Sequence, residues 1–202
     1  MKKLLSLFLF GLLLVTACTP SQKVTRIKPD TQTDLSGKWN DTDARLVAEE
    51  MIQDVISKPW LQQFRNRHEK PPVVIVGRVR NESMEHIDTE VFTKEMERAF
   101  VNTGSVSVVA SPEERDQVRQ EREEQQQYAS DESMKALAHE LGADFMLIGN
   151  INSIYDESVS RKEAAVFYTV NLELVNVETN QKVWIGNKKI KKYLERRNYR
   201  GR

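Results

Sequence analysis

The residue with the clearest chemical potential is Cys18, the only cysteine in the 202-residue chain. It directly follows the small residues Thr16-Ala17, and these end an apolar run that begins at Leu4. Two lysines precede the run, so the leader has the charged, apolar and small-residue order of a secretory signal peptide. The run is shorter than the roughly 20 apolar residues that a transmembrane helix needs. We therefore predict that residues 1–17 are a cleaved leader and that the rest of the chain lies outside the cytoplasm.

The order Val15-Thr16-Ala17-Cys18 resembles the bacterial lipobox. This resemblance implies that Cys18 is acylated and becomes the new N-terminus after cleavage. A single acyl chain binds a membrane only marginally, so stable anchoring implies more than one chain on this cysteine. Thr19 stands where lipoproteins retained in the inner membrane often have an aspartate, which favours the periplasmic side of the outer membrane. The alternative is an ordinary cleaved signal peptide with a cysteine placed by chance.

The rest of the sequence contains no recognisable catalytic constellation. It has no glycine-rich phosphate loop, its serines lack a G-x-S-x-G context, and its three histidines lack metal-ligand spacing. Charged residues make up 30% of the chain, but positive and negative charges balance, so no bulk charge attracts nucleic acid. We expect no enzymatic activity, no cofactor, no metal and no nucleic-acid partner.

Hydrophobic periodicity predicts a single folded domain. A polar tether over residues 18–35 precedes a domain over residues 36–192, and a basic tail over residues 193–202 follows it. A helix is predicted from Asn40 or Asp41 to about Ser57, with Pro59 ending it. Further helices are predicted at residues 88–101, from residue 112 to about 128, and at residues 130–142. The helix predicted at residues 88–101 is expected to bury its apolar side chains, namely Val91, Phe92, Met96, Ala99 and Phe100.

Short apolar runs predict the strands between these helices. Residues 73–80, 106–109 and 145–151 are typical of buried strands, and residues 81–86 are predicted to be a polar loop. Residues 164–177 alternate between apolar and polar, and residues 182–185 return after a turn. The predicted fold class is α/β: a mixed sheet flanked by helices, with a parallel first half and an antiparallel C-terminal meander.

Three groups of residues are candidate binding residues. Arg78, Arg80, Asn81 and Glu82 leave the end of a buried strand, where open α/β sheets often bind partners; the alternative is a solvated loop. Arg115, Arg119 and Arg122 belong to a helix that is polar nearly all round, which would face either a partner or solvent. The third group is basic and spans the end of the domain and the tail. Its residues would attract anionic lipid or an acidic partner, or else form a solvated strand end, and they are Lys188, Lys189, Lys191, Lys192, Arg196 and Arg197.

Four stretches together resemble the LpoB family of penicillin-binding-protein activators. They are residues 78–89, residues 114–126, the Leu141-Gly142-Ala143-Asp144-Phe145 segment with its continuation to Gly149, and residues 177–188. The resemblance covers about residues 36–192. It implies an α/β domain similar to the N-terminal domain of TolB, with no enzymatic activity. It also implies binding to a class A penicillin-binding protein and stimulation of its glycan polymerisation and crosslinking.

The length of the tether differs from that of well-known family members, whose tethers are long and proline-rich. A disordered tether of 17–20 residues has a root-mean-square reach of roughly 20–25 Å. Either the partner extends towards the domain, the envelope geometry differs, or the domain has another task. One alternative function is a CsgG-like outer-membrane secretion lipoprotein that oligomerises. Another is an enzyme acting on glycan, for which the sequence offers no motif.

Overall fold

The computed structural model describes residues 24–28, 31–126 and 142–195. Cys18, the predicted helix at residues 130–142 apart from its last residue, and Arg196 and Arg197 lie outside the described residues. The chain divides into two compact units, Met1–Thr31 and Gln32–Arg202. In the first unit, the amide of Thr31 donates to the carbonyl of Lys28 at 3.0 Å. All further description concerns the second unit.

Four described helices have ends that local sequence explains. Helix α1 is Asp41–Ile56, and a reciprocal capping box between Asn40 and Asp43 begins it. Helix α3 is Thr89–Thr103; Asp88 caps it, and Gly104 ends it with a left-handed φ of 60°. Helix α4 is Pro112–Gln126, and Ser111 and Glu114 exchange hydrogen bonds at its start. These three helices confirm the predictions.

Helix α2 was not predicted. It is Pro59–His68, and Pro59 occupies its first turn, where the missing proline N–H costs nothing. The proline therefore both follows the end of α1 and begins the next helix. Helix α2 buries Trp60, Leu61 and Phe64. The Trp60 indole donates to the carbonyl of Val55 at 2.7 Å, which fixes α2 against the end of α1.

Five strands form one sheet in the order β2-β1-β3-β4-β5. They are β1 Val73–Glu82, β2 Ser107–Val109, β3 Phe145–Glu157, β4 Glu163–Asn176 and β5 Lys182–Glu195. Strand β1 pairs in parallel with β2 and β3, whereas β3, β4 and β5 pair antiparallel. The predicted fold class, with a parallel first half and an antiparallel meander, is confirmed.

The core lies between one face of the sheet and helices α1, α2 and α3. It contains Val47 and Ile52 of α1, Phe92 and Phe100 of α3, and Tyr168 of β4. The prediction for α3 needs one correction, because Val91 is 50% exposed. The buried side chains of α3 are Phe92, Met96 and Phe100, which recur every four residues, and Val91 lies outside that stripe.

Two strand ends also differ from the predictions. Asn81 and Glu82 belong to β1 and not to the predicted loop. Strand β5 continues to Glu195, so Lys188 and Lys192 are strand residues and not part of a tail. Both errors have the same cause. In each stretch, polar side chains occupy positions of an extended strand, so the apolar signal is missing.

Candidate functional site

One face of the sheet is covered by helices α1–α3 and the other is more exposed along β3, β4 and β5. On β4, the even-numbered side chains from Ala164 to Leu174 are buried. The odd-numbered side chains project to the opposite face, together with the residues paired to them on β3 and β5. We call this side of β3–β5, with Arg80 and Glu82 of β1, the open face. Ile154, Ile185 and Tyr193 on it are 67%, 65% and 63% exposed.

A chain of side-chain hydrogen bonds crosses the open face from strand to strand. The Asn187 amide donates to Oδ1 of Asn171 at 2.6 Å, and the Asn171 amide donates to Oδ1 of Asn150 at 3.0 Å. The Asn150 amide then donates to Oε2 of Glu82 at 2.7 Å, and Arg80 pairs with Glu82 at 3.2 Å. We call this row the amide ladder. Each link uses one N–H and one oxygen lone pair, so the ladder fixes the orientation of the remaining polar groups.

The basic residues of β5 divide between the two faces of the sheet. Lys188 and Lys192 face the helices, and Lys188 pairs with Glu50 of α1. Lys189 and Lys191 project from the open face, opposite Thr169 and Phe167 of β4. Neither of these two lysines forms an ion pair with any residue that the structure describes. The Lys191 Nζ lies 4.6 Å from the centroid of the Phe167 ring. The predicted basic group is therefore two separate sets of side chains.

Lys192 forms a nearly buried ionic cluster with Asp34 and Asp43, which we call the Lys192 cluster. Its side chain is 9% exposed, and its Nζ lies 2.8 Å from Asp34 and 2.5 Å from Asp43. It also donates to the Lys38 carbonyl at 2.9 Å. Burial lowers the pKa of Lys192, but the two carboxylates more than offset that effect and the net shift is upward. Asp34, which lies within the predicted tether, is thus fixed to the domain.

A second polar contact fixes the same segment to the sheet. The Tyr168 hydroxyl lies 2.6 Å from Glu85 Oε1 and 3.0 Å from the Gly37 carbonyl. The Trp39 amide donates to the other Glu85 oxygen at 3.3 Å. Burial, and then the Glu85 carboxylate, raise the pKa of the Tyr168 hydroxyl well above its usual range. The residues just before α1 are therefore held from two directions.

The predicted strand-end residues have different roles in the structure. Arg80 and Glu82 belong to the amide ladder. The Asn81 side chain accepts from the Ser83 amide at 3.0 Å and donates to the Glu85 carbonyl at 2.8 Å. It therefore stabilises the turn after β1. Arg78 is exposed, and it lies where the register of β1 with β3 shifts. The structure thus brings two of the four residues into one row.

The predicted residues of α4 are not brought together with the open face by any described contact. Arg119 pairs with Asp116 at 2.9 Å, and the Nε of Arg115 is buried without a hydrogen-bond partner among the described residues. The side chain of Arg122 lies outside the described residues. Helix α4 is joined to α3 by an ion pair of 2.6 Å between Glu114 and Lys94. The hydrogen bond from Lys94 to the Glu114 carboxylate has the largest effect on that group, and the hydrogen bond from the Ser111 amide has the next largest. Both hold the pKa of Glu114 below its usual range.

A groove that contains none of the predicted residues lies between α2 and the turn that joins β4 to β5. Its volume is about 380 Å³. Its floor is aromatic, with Trp60 and Phe64 packed edge-on against Phe145 at centroid distances of 5.0 and 5.4 Å. Gln63 and Gln181 are among its polar lining residues. Sequence analysis missed it because α2, which forms one wall, was not predicted.

Within residues 24–28, 31–126 and 142–195, no group of three or more histidine, cysteine, aspartate or glutamate residues could hold a metal ion. No helix in that same part of the chain has the length and hydropathy of a membrane-spanning helix.

Several solved structures are similar to this chain. The LpoB C-terminal domain from Escherichia coli is 17% identical with a TM-score of 0.45, and the match covers 73% of this chain and 98% of that one. The NMR structure of E. coli LpoB is 13% identical with a TM-score of 0.42, covering 86% and 85%. The LpoB C-terminal domain from Salmonella enterica is 16% identical with a TM-score of 0.35, covering 65% and 93%. No curated protein matches the sequence. The family model described as peptidoglycan-synthase activator LpoB matches residues 43–190, from α1 into β5.

Proposed function

The chain belongs to the LpoB family of peptidoglycan-synthase activators, and on that premise we propose that it is a lipid-anchored regulator of a class A penicillin-binding protein. It binds the synthase and stimulates glycan polymerisation and crosslinking, without an enzymatic step of its own. The observation that carries this proposal is the family match over residues 43–190, which includes every described strand and helix in whole or in part. That match favours the activator over the secretion-lipoprotein alternative.

The mechanism that fits a contact activator is a shift of the synthase between conformations. A ligand shifts such an equilibrium only by its difference in affinity for the two states. A tenfold shift towards the active state requires a preference of about 1.4 kcal/mol. The amide ladder and the Lys192 cluster fix polar side chains of the domain, so the domain loses less entropy when it binds either state of the synthase.

The lipid anchor belongs to the same proposal. Acylation of Cys18 attaches the chain to the outer membrane on its periplasmic side. The Lys192 cluster holds Asp34 against the domain, so the tether between Cys18 and the domain ends before this residue. As a flexible coil, the remaining stretch would have a root-mean-square reach of roughly 20 Å. The synthase would therefore have to extend towards the outer membrane to meet the domain.

Two experiments test the proposal. Mass spectrometry of the native mature protein is expected to show an N-terminal, multiply acylated Cys18; an uncleaved leader or an unmodified thiol would contradict the anchor. A pull-down of the full-length lipoprotein from detergent-solubilised membranes is expected to recover a class A synthase. Recovery of only unrelated proteins, while circular dichroism shows the bait to be folded, would contradict the partner.

A further inference from the structure

We infer that the open face, at its β5 side, is the surface that contacts the partner, and that the partner presents an acidic surface with apolar side chains there. This inference rests on the proposed function and deepens it by naming the surface. The contact residues are Ile154 of β3, Phe167 of β4, and Ile185, Lys189, Lys191 and Tyr193 of β5.

Exposure is the first observation in its favour. Ile154, Ile185 and Tyr193 are each more than 60% exposed, although they lie on a sheet whose other face forms the core. Phe167 is paired with Ile154 on one side and with Lys191 on the other, and Tyr193 lies on β5 in the next open-face row after Lys191. Ile185 lies on the same strand, on the other side of Lys189 and Lys191. Ile154, Phe167 and Tyr193 thus adjoin across three strands, and exposed apolar side chains that adjoin on a surface with polar neighbours are typical of protein contact sites.

Charge is the second observation, and it selects the kind of partner. Lys182, Lys188 and Lys192 of β5 each pair with a carboxylate of this chain. Lys189 and Lys191 form no ion pair with the described residues, and both project from the open face. Between Ile185 and Tyr193, the open-face charge of β5 that lacks an ion pair with the described residues is thus positive, whereas the Glu195 carboxylate lies beyond Tyr193, in register with Glu163. An acidic surface is the electrostatic complement of Lys189 and Lys191.

The amide ladder limits how this surface can change on binding. Asn150, Asn171 and Asn187 hold three neighbouring strands in a fixed side-chain row beside the contact residues. A partner therefore meets a preorganised surface. Lysines on an edge strand also prevent unwanted strand pairing between copies, and the experiment must separate that role from partner contact.

The test compares charge reversal on the open face with charge reversal off it. The first variant is Lys189→Glu with Lys191→Glu. The matched control is Lys38→Glu with Arg67→Glu, which changes the net charge equally at two exposed residues that lie off the open face and form no ion pair with the described residues. Affinity of each full-length lipoprotein for the purified class A synthase is measured in detergent at two salt concentrations. We expect the open-face variant to bind about tenfold more weakly or worse, and the control to bind like the wild type. The wild-type affinity should also fall with added salt more steeply than that of the open-face variant.

Each other outcome overturns part of the account. If the open-face variant binds the synthase as tightly as the wild type, this surface is not the contact surface, and the proposed function stays intact. A wild-type protein that does not bind the synthase contradicts the proposed function, and the inference falls with it. Loss of binding to purified peptidoglycan with synthase binding retained would make the surface a glycan site.

A second variant keeps the test informative if charge reversal prevents folding. Lys189→Gln with Lys191→Gln removes both charges without adding repulsion, and a several-fold loss of affinity is expected. If that variant instead forms oligomers on gel filtration while its affinity stays unchanged, the lysines protect the edge strand and the inference is wrong.

Discussion

Replacing Lys192 with methionine tests whether the Lys192 cluster stabilises the domain. Methionine keeps most of the side-chain volume and removes the charge. Asp43 is only 10% exposed, and without Lys192 its carboxylate keeps the hydrogen bond from the Asn40 amide at 3.0 Å. Asp34 is 44% exposed and returns to water. The cost of the substitution therefore arises mainly at Asp43.

The expected magnitude follows from this difference in burial. Removing one partner of a fully buried ion pair costs about 3–5 kcal/mol. Because Asp43 keeps one donor and Asp34 becomes hydrated, we expect a loss of about 2–3 kcal/mol in the free energy of unfolding. For a domain of this size that loss lowers Tm by roughly 5–10 °C.

Urea unfolding followed by circular dichroism measures the effect. The matched control is Lys189→Met, three residues before Lys192 and on the open face, which should change the free energy of unfolding by less than about 0.5 kcal/mol. Asp43→Asn in the Lys192→Met background should recover part of the loss, because it removes the orphaned charge. A loss below about 0.5 kcal/mol for Lys192→Met, or a loss equal to that of Lys189→Met, would refute the reasoning.

Three further predictions concern the fold around the site. Tyr168→Phe removes the hydroxyl that contacts Glu85 and is expected to cost about 1–2 kcal/mol in urea unfolding; an unchanged midpoint would contradict the role of this contact. Gly149→Ala is expected to cost about 1–3 kcal/mol, since its Cβ would lie 2.1 Å from the Asn171 carbonyl oxygen; Gly142→Ala, with no neighbour within 4 Å, is the control. Glu114 has a folded-state pKa below its ordinary value of 4.5, so it stabilises the fold above that pH and loses this contribution as pH falls through the folded-state pKa. Stability should therefore fall less steeply below about pH 4.5 in Glu114→Gln than in the wild type, and parallel pH profiles would show that the ion pair with Lys94 contributes nothing.

Much of the fold could be predicted because local signals agreed with the structure. Asn40 and Asp88 cap the helices that they were predicted to begin, and the alternation of β4 matches its burial. Helix α2 was missed because Pro59 was interpreted only as a helix terminator. Strand β5 beyond Ile185 was missed because Lys188 and Lys192 occupy positions that face the helices, where apolar residues would signal a strand.

The open face and the Lys192 cluster were harder to predict because contacts between distant residues create them. Asn150 and Glu82 are 68 residues apart in sequence, and Lys192 is 149 residues from Asp43. No local pattern reports that these side chains meet. Arg80 and Glu82 are candidates because strand ends are favoured binding places, and that role stays a prediction. The separation of Lys189 from Lys188 follows only from the register of β5 with β4.

Glycan polymerisation by the purified class A synthase of the same organism tests the central claim most directly. The rate is measured with lipid-linked precursor as the native lipoprotein is titrated in detergent. We expect a saturable, several-fold increase in rate, and no polymerisation or glycan cleavage by the lipoprotein alone. A rate that stays constant at concentrations where the two proteins are shown to be bound would contradict activation by contact.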